Sequence, residues 1–439
     1  MQENFCSKPT NLSKKYMEFN EAVEFLYSLI DYEKRKGYVE SLEPYLNFLK
    51  EFDNPHLKVP RPILIVGTKG KGSTAHLVAG GLQSLGFKVG LFTSPHLVDI
   101  RERIKINNKK IPERAFTKYI ELIKPHIEGK RGFKTVFETL TLMAFLYFID
   151  EKVDYAVFEA GLGGRLDATN VLSQILTIIT NISYDHMDIL GPKLTDIARE
   201  KAAVIKNFNP VVVARQHPSV YQVIKKACEK TKAKMYLLSE YAKYKLVEAK
   251  LNRTLIKYKG LSGEKLLLLN QGGIFQAKNM ALSALALEVL GFENFNFEGI
   301  KIEGRFEVIS ENPLIIIDGS HNYDSVKNFL NSTLKIIGND CVFVFGINRD
   351  KEYEKIIKEI VKVNPSFIIV THSQSPRALS SDELLQFFLK NGMPKEKIKS
   401  AENVQKAIEI ARKKGNKVLA FGSFYLAGEI KQTLLSVNF

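Results

Sequence analysis

Residues 63–74 read I-L-I-V-G-T-K-G-K-G-S-T, and no other stretch constrains the fold of this chain as strongly. Ile63 to Val66 is an apolar run of strand length that ends at Gly67. Thr68, Lys69, Gly70, Lys71 and Gly72 follow before Ser73 and Thr74 open a helical pattern. Strand, glycine loop and helix in that order make a phosphate cradle. The glycines let backbone N–H groups face an anion, the helix N-terminus adds partial positive charge, and Lys71 reaches the outer phosphates. The strict G-x-x-x-x-G-K-[ST] pattern is not met. With Gly70-Lys71 as its G-K, the first glycine would fall on Ile65, and the hydroxyl has slipped one place to Ser73. A ligand-free strand-to-helix turn is the competing reading. The coincidence of Gly, Lys and Ser with the right flanks favours a nucleoside triphosphate.

Around this loop, strand and helix patterns alternate. Helical stretches fill residues 18–50, and prolines at 55, 60 and 62 mark a linker. Strands are expected at 63–66, 89–93, 153–158, 175–181 and 210–214, with helices at 73–85, 113–127, 136–149 and 192–205. Such alternation predicts a parallel sheet covered on both faces, with ligands at the carboxyl ends of its strands. Residues 233–275 break the rhythm with short β-leaning runs (Met235 to Leu238, Arg253 to Tyr258, Leu266 to Leu269), read as a small β insertion. A helix from about Gln276 to Leu290 and an aperiodic linker at 291–304 come next. A second alternating series then places strands near 314–317, 341–346, 367–371 and 418–422. The expectation is an α/β chain of two domains, 1–298 with its β insertion and 299–439, which suits a length of 439 residues.

Composition narrows the setting. No window approaches 18 uncharged apolar residues, and the start M-Q-E-N-F-C-S-K lacks the layout of a signal peptide. Cys6, Cys228 and Cys341 share no metal or redox spacing, so they are read as packing residues in a reducing cytoplasm. The net charge of +15 could serve nucleic acid, a membrane surface or an anionic ligand. Basic residues are spread along the chain and often alternate with glutamates, as in residues 350–363, which is the pattern of solvated helix faces. No nucleic-acid or membrane partner is expected, and a monomer is.

Polar residues cluster where strands should end. Strand 153–158 runs into Glu159, and then Gly161-Leu162-Gly163-Gly164-Arg165-Leu166-Asp167-Ala168-Thr169-Asn170. Strand 175–181 leads to Asp185-His186-Met187-Asp188, and strand 89–93 to Thr93-Ser94-Pro95-His96. In a parallel sheet these tips share an edge with the phosphate loop, so a hydroxyl, a carboxylate and an imidazole would surround a triphosphate and its magnesium. Each has a plain alternative: Ser94 as a turn residue, Glu159 as a solvated strand end, His186 as a hydrogen-bonded loop histidine. By spacing alone Lys201 is an ordinary surface lysine. Strand 314–317 ends at Asp318-Gly319-Ser320-His321-Asn322, which could face the same crevice or form a capped turn. Arg305 lies beside the linker, where it could swing onto phosphates.

Taken together, G-T-K-G-K-G-S-T, T-S-P-H-L, R-E-R-I, F-E at 137–138, E-A-G-L-G-G-R-L-D-A-T-N, D-H-M-D-I-L-G, A-R-E-K-A, G-R-F-E, D-G-S-H-N and G-S-F-Y-L-A-G-E resemble the folylpolyglutamate synthase and dihydrofolate synthase family of the Mur-ligase superfamily. The resemblance runs in order from about residue 18 to 430. It implies a P-loop ATPase domain followed by a Rossmann-like, glutamate-binding domain. ATP would be held by Gly67, Thr68, Gly70, Lys71, Gly72 and Ser73, with contacts from Asn279, Arg305 and Asp318. Ser94, Glu159 and His186 would ligate magnesium, two ions being expected, and Lys201 would be carbamylated. Phe137, Glu138 and Leu166, Asp167 and Ala168 match the region that receives the pterin-bearing substrate, and His321 belongs to the interdomain motif. The implied reaction joins L-glutamate to a folate or to dihydropteroate. Three positions depart from the family pattern: Lys69 where Asn is usual, Phe275 where His is usual, and Ser320 where Ala is usual. Another amino-acid ligase of the superfamily, or a P-loop ATPase acting on nucleic acid, remains the alternative.

Overall fold

The computed structural model describes residues 17–30, 41–128 and 134–436. Among these, eight strands build the first sheet: β1 (Pro62–Val66), β2 (Val89–Phe92), β3 (Ile104–Ile106), β4 (Lys109–Lys110), β5 (Tyr155–Glu159), β6 (Leu176–Ile179), β7 (Val211–Val213) and β8 (Met235–Leu237). Their order is β4-β3-β2-β5-β1-β6-β7-β8. All pairings are parallel except those of β3 and β4, which turn back along one edge. β1 sits between β5 and β6, so the loop after it opens near the middle of the sheet's carboxyl edge.

The strands alternate between two apolar layers, as a sheet buried on both faces must. Leu64, Val66 and Phe158 pack into one layer with Phe92 and Phe145. Ile63, Ile65 and Val157 pack into the other with Leu77 and Met280. Each such side chain contributes about 1.5–3 kcal/mol by leaving water. The Lys71–Ser84 and Gln276–Val289 helices are apolar around most of their circumference because both lie inside that second layer.

β9 (Lys243–Lys250), β10 (Arg253–Gly260) and β11 (Gly263–Leu269) form a separate antiparallel sheet. Its inward Ile256, Tyr258, Leu267 and Leu269 cover the Gln276–Val289 helix. Tyr258 also donates its hydroxyl to the buried Glu288 carboxylate at 2.7 Å.

The third sheet joins β12 (Glu307–Glu311), β13 (Leu314–Asp318), β14 (Val342–Phe345), β15 (Phe367–Val370), β16 (Ile398–Ser400) and β17 (Lys417–Phe421) in the order β12-β13-β17-β14-β15-β16. β12 is antiparallel and the rest parallel. Again the strands feed two layers, Ile316, Leu419 and Phe421 on one side and Ile317, Val418 and Ala420 on the other.

Several local expectations change. Met235–Leu237 is the parallel edge strand of the first sheet rather than part of the insertion, because it pairs with β7. The 18–50 stretch holds two described helices, Phe19–Ser28 and Glu43–Lys50, and residues 31–40 lie outside the description. A helix at Pro218–Thr231 and the strands β3, β4, β9, β12 and β16 were not anticipated by the sequence pattern. Cys228 and Cys341 are buried free thiols, and Cys6 lies outside the described residues. No described helix is long and apolar enough to cross a membrane.

Candidate active site

A cavity of about 440 Å³ lies between the carboxyl edges of the first and third sheets. Thr68, Gly70, Lys71, Gly72, Ser73, Ser94, Phe137, Glu138, Glu159, Leu166, Asp167, Ala168, His186, Asn279, Arg305, Asp318 and His321 all line it. Of the residues given a candidate role in the site, Gly67 and Lys201 stand outside that lining.

The phosphate loop is held from below. Thr68 and Lys69 donate their N–H groups to the Asn181 carbonyl at 2.9 and 3.2 Å, and the Thr68 hydroxyl donates to Ser183 O at 3.1 Å. Gly70 caps the Lys71–Ser84 helix in the left-handed region at φ +84°, a conformation side chains resist. A β-carbon there would also come within 2.7 Å of Asn279 Oδ1, which places Asn279 directly beside the loop. The amides of the first helical turn lack intrahelical partners and serve an anion well.

Glu159 ends β5 and is buried rather than solvated. Its carboxylate accepts the Ser94 N–H at 3.1 Å and lies so close to the first helical turn that a β-carbon on Gly72 would be 3.3 Å from Oε2. Burial pushes this carboxyl up, against the pull of Lys71, Arg305 and Arg103. A hard cation at this point would restore the ionised form. The donor set of carboxylate, hydroxyl and imidazole from Glu159, Ser94 and His186 therefore fits magnesium.

His186 adopts a left-handed conformation, φ +49°, and its Nε2 lies 3.7 Å from Asp185 Oδ1. Burial lowers its pKa, with the charge of Asp185 opposing. For Asp185 burial acts upward, but the charges of Lys351 and Lys71 hold the carboxyl far below its usual range.

Lys201 corrects the surface reading. It is 5% exposed on the Leu194–Ala202 helix, behind the 161–167 loop, with Nζ 3.4 Å from the Gly163 carbonyl. Burial first, and then the charge of Lys71, lowers the amine to about 7.

Leu42, Val136, Phe137, Leu162 and Leu166 give the cavity an apolar part of its lining. Their acidic neighbours are already committed. Glu138 and Thr135 form a reciprocal cap, with Thr135 N to Glu138 Oε2 at 2.9 Å and Glu138 N to Thr135 Oγ1 at 3.0 Å. Asp167 accepts from Leu162 N at 2.9 Å, Thr169 N at 3.0 Å and the Thr169 hydroxyl at 2.5 Å.

From the third sheet, Asp318 fixes the junction by accepting Phe306 N and Ser320 N, each at 2.8 Å. Burial pushes its carboxyl up, with Arg305 opposing. The Arg305 guanidinium lies over the Phe424 ring, 4.9 Å from its centre. His321 Nδ1 lies 2.8 Å from the Gly319 carbonyl, which can only accept, so Nδ1 carries the proton and Nε2 is free of it. Burial and Lys351 lower this ring to about 4. Asn348, Lys351 and Arg377 also line the cavity and were missed, while Asp185 and Phe424, which line it too, stood in quoted motifs without a role of their own. Asn348 lies beyond the tip of β14, so the rule applied to the first sheet would have reached it.

Two family models match the chain: the Mur ligase middle domain over residues 65–287 and the Mur ligase glutamate ligase domain over 304–424. The dihydrofolate synthase/folylpolyglutamate synthase of Bacillus subtilis is 33% identical over 400 residues, covering 87% of this chain and 92% of that protein. Folylpolyglutamate synthase of Mycobacterium tuberculosis, solved complexed with ADP, superposes with a TM-score of 0.85 at 27% identity, covering 95% of this chain and 98% of that one. Escherichia coli FolC, solved in complex with DHPP and ADP, gives 0.81 at 25% identity, covering 94% and 98%. With both Mur ligase domains matched in order along the chain and a relative 33% identical over most of both proteins, the chain belongs to the folylpolyglutamate synthase/dihydrofolate synthase family of Mur ligases.

Proposed function

We propose that this chain is an ATP-dependent ligase that adds L-glutamate to folates, with dihydropteroate as a second candidate acceptor, through an acyl phosphate. The observation that carries this reading is the single cavity in which a cationic phosphate loop, an apolar part of the lining and a basic wall from the third sheet meet. A carboxylate is a poor electrophile because its leaving group would be oxide. Attack of the acceptor carboxylate on the γ-phosphorus of ATP breaks the bond to the β-phosphate and releases ADP. Attack of the glutamate amine on the acyl carbon then expels phosphate.

Lys71, with the loop from Gly67 to Ser73, would hold the phosphates, and Asn279, Arg305 and Asp318 would complete the ATP site. Phe137, Glu138, Leu166, Asp167 and Ala168 would border the pterin. Magnesium, expected as two ions held by Ser94, Glu159 and His186, would neutralise charge on the phosphates. Neutral His321, with Nδ1 engaged at Gly319, would offer Nε2 to the proton lost by the attacking amine.

Lys201 would carry a carbamate. Its neutral amine attacks carbon dioxide and loses a proton, which turns a buried cation into a carboxylate-like anion near the metal. A pKa of about 7 supplies that neutral amine at physiological pH.

Residues 1–298 would form the ATP- and folate-binding domain and 299–439 the glutamate-binding one, working as a cytoplasmic monomer. Of the two alternatives, a nucleic-acid ATPase has only the basic net charge in its favour, whereas the folate relatives match most of the chain. The deciding experiment is ADP release with glutamate, comparing tetrahydrofolate with dihydropteroate. Turnover with neither acceptor would overturn the reading.

A further inference from the structure

Lys69 lies in the middle of the phosphate loop, and its side chain does not face the phosphate side alone. Its ammonium contacts the carboxylate of Asp324, 255 residues further along the chain. Asp324 stands in the first turn of the Tyr323–Ile337 helix, whose cap Asn322 directly follows His321. The contact therefore ties the ATP loop of the first sheet to the helix that follows the histidine of the third.

Three further observations make this a junction rather than a chance surface pair. First, Lys69 is rigid at its root, because its N–H and that of Thr68 both bond Asn181 O. Its side chain is only 16% exposed. Second, Asp324 sits on a well-made helix start, where the Asn322 side chain accepts Ser325 N at 3.0 Å and Ser325 Oγ accepts His321 N at 3.2 Å. A movement of this helix start would carry His321 with it. Third, a parallel contact lies across the same cleft: Lys351 Nζ is 3.6 Å from Asp185 Oδ1. Asp185 belongs to the 181–186 segment that holds Thr68 and Lys69. Both ion pairs thus cross from the third sheet to one hydrogen-bonded loop unit.

The charges around Lys69 show why an acid is needed there. Lys278 is lowered by burial and by the nearby charges of Lys69 and Arg215, which marks a crowd of cations at this side of the loop. Asp324 brings that crowd a counter-charge from the opposite sheet.

We propose that Lys69 and Asp324 are a positioning pair, which docks the third-sheet helix onto the phosphate loop and so sets His321 relative to bound ATP. Lys69 acts on the reaction through the placement of that helix. The kinetic half of this inference rests on the ligase reading, whereas the docking contact does not.

Two measurements on the full chain test the two halves separately. A zero-length carbodiimide joins an amine to a carboxylate it already touches, with loss of water. Mass spectrometry should then find an amide between Lys69 and Asp324 in the unmutated protein, and none in Lys69→Glu. In the ADP-release assay, Lys69→Glu and Asp324→Lys should each lower kcat roughly fivefold, the scale of a half-exposed ion pair. The double exchange should recover kcat to within about twofold of the parent, which a merely structural role for either residue would not produce. Asp324→Asn is the milder companion and should fall between parent and reversal. Absence of the 69–324 amide would overturn the docking contact. A double exchange as slow as the slower single variant would overturn the positioning role, with Lys69 then serving ATP alone. A recovered amide in a protein that turns over neither tetrahydrofolate nor dihydropteroate would support the docking contact and sink the ligase reading.

Discussion

On the wall built by the first sheet, polar side chains are largely spent on the protein itself. Asp167 holds three hydrogen bonds within its own loop, Glu138 closes a helix cap, and Thr68 is tied to Ser183. The wall built by the third sheet differs. Of the side chains that line the cavity, Asn348 Oδ1 and Arg377 Nε are buried there with no hydrogen-bond partner among the described residues, whereas the unpaired Thr74 Oγ1 and Ser183 Oγ of the first-sheet side belong to residues outside the lining. Unpaired buried polar atoms are costly unless a ligand meets them. The first wall is thus shaped before any ligand arrives, while the third-sheet wall keeps its hydrogen-bonding capacity for one. Substitutions should accordingly separate into those that alter chemistry or stability on the first wall and those that alter the affinity for one substrate on the other.

The sharpest break is expected at Lys71, the first-wall lysine proposed to hold the phosphates. Lys71→Ala should lower ADP release by about 10²–10³-fold, the range for loss of one preorganised charge-stabilising group. Its circular dichroism should match the parent. A rate within a few-fold of the parent would remove the phosphate loop from the chemistry.

Next comes Lys201, whose effect should depend on pH. Its amine is displaced downward to about 7, so it is mainly protonated below that value and mainly free above it. Only the free amine reacts with carbon dioxide. A carbamate signal from ¹³C-labelled bicarbonate should therefore grow as pH rises through about 7, and be missing in Lys201→Ala. Short carboxylic acids should partly restore activity to that variant, because they return an anion to the emptied space. Full activity of Lys201→Ala without supplement would exclude a role for the carbamate.

The same contrast explains what could be read from the residues alone. The phosphate loop was legible because its chemistry is local: glycine spacing, one lysine and a helix start lie within one short segment. Glu159, Ser94 and His186 were legible because a parallel sheet brings the tips of neighbouring strands to one edge. The burial of Lys201 was not, since it depends on packing behind the Gly163 loop, and nothing within the A-R-E-K-A segment reveals that neighbour.

β9 escaped notice because Lys243, Lys245 and Lys250 hide an edge strand whose partners lie further along the chain. β3, β4 and β16 are two or three residues long and exist through their pairing, not their propensity. The Pro218–Thr231 helix is a different case. Pro218 at the helix start, and Val220, Ile224 and Cys228 at intervals of four, carry a helical period in plain sequence. Lys351 and Arg377 needed the fold, for they lie on loops that only the third sheet brings to the cavity, Lys351 opposite Asp185.

Arg377 sharpens the comparison at a smaller scale. Its guanidinium lines the cavity, with NH1 3.5 Å from Asp350 and Nε unpaired among the described residues. Arg377→Ala should raise the KM for glutamate roughly tenfold, as expected for the loss of a charged hydrogen bond. The KM for ATP should stay within about twofold. If both constants rose together, the third-sheet wall would belong to the nucleotide instead.

The smallest effect separates a structural carboxylate from one that recognises substrate. Asp167 was expected to border the pterin, and it does line the cavity. Yet both its oxygens are occupied, Oδ1 by the N–H and hydroxyl of Thr169 and Oδ2 by Leu162 N. In Asp167→Asn the side chain keeps its shape but turns one acceptor into a donor. If the remaining oxygen stays with Thr169, the new amide faces the Leu162 N–H, and donor meets donor. The cost should be about 1–3 kcal/mol of unfolding free energy, read from the denaturant midpoint at constant slope. The KM for the folate should rise by no more than a few-fold, through the loosened 161–167 loop. A large rise in KM with an unchanged midpoint would show that the carboxylate meets substrate directly, and that the first wall is less self-contained than its hydrogen bonds indicate.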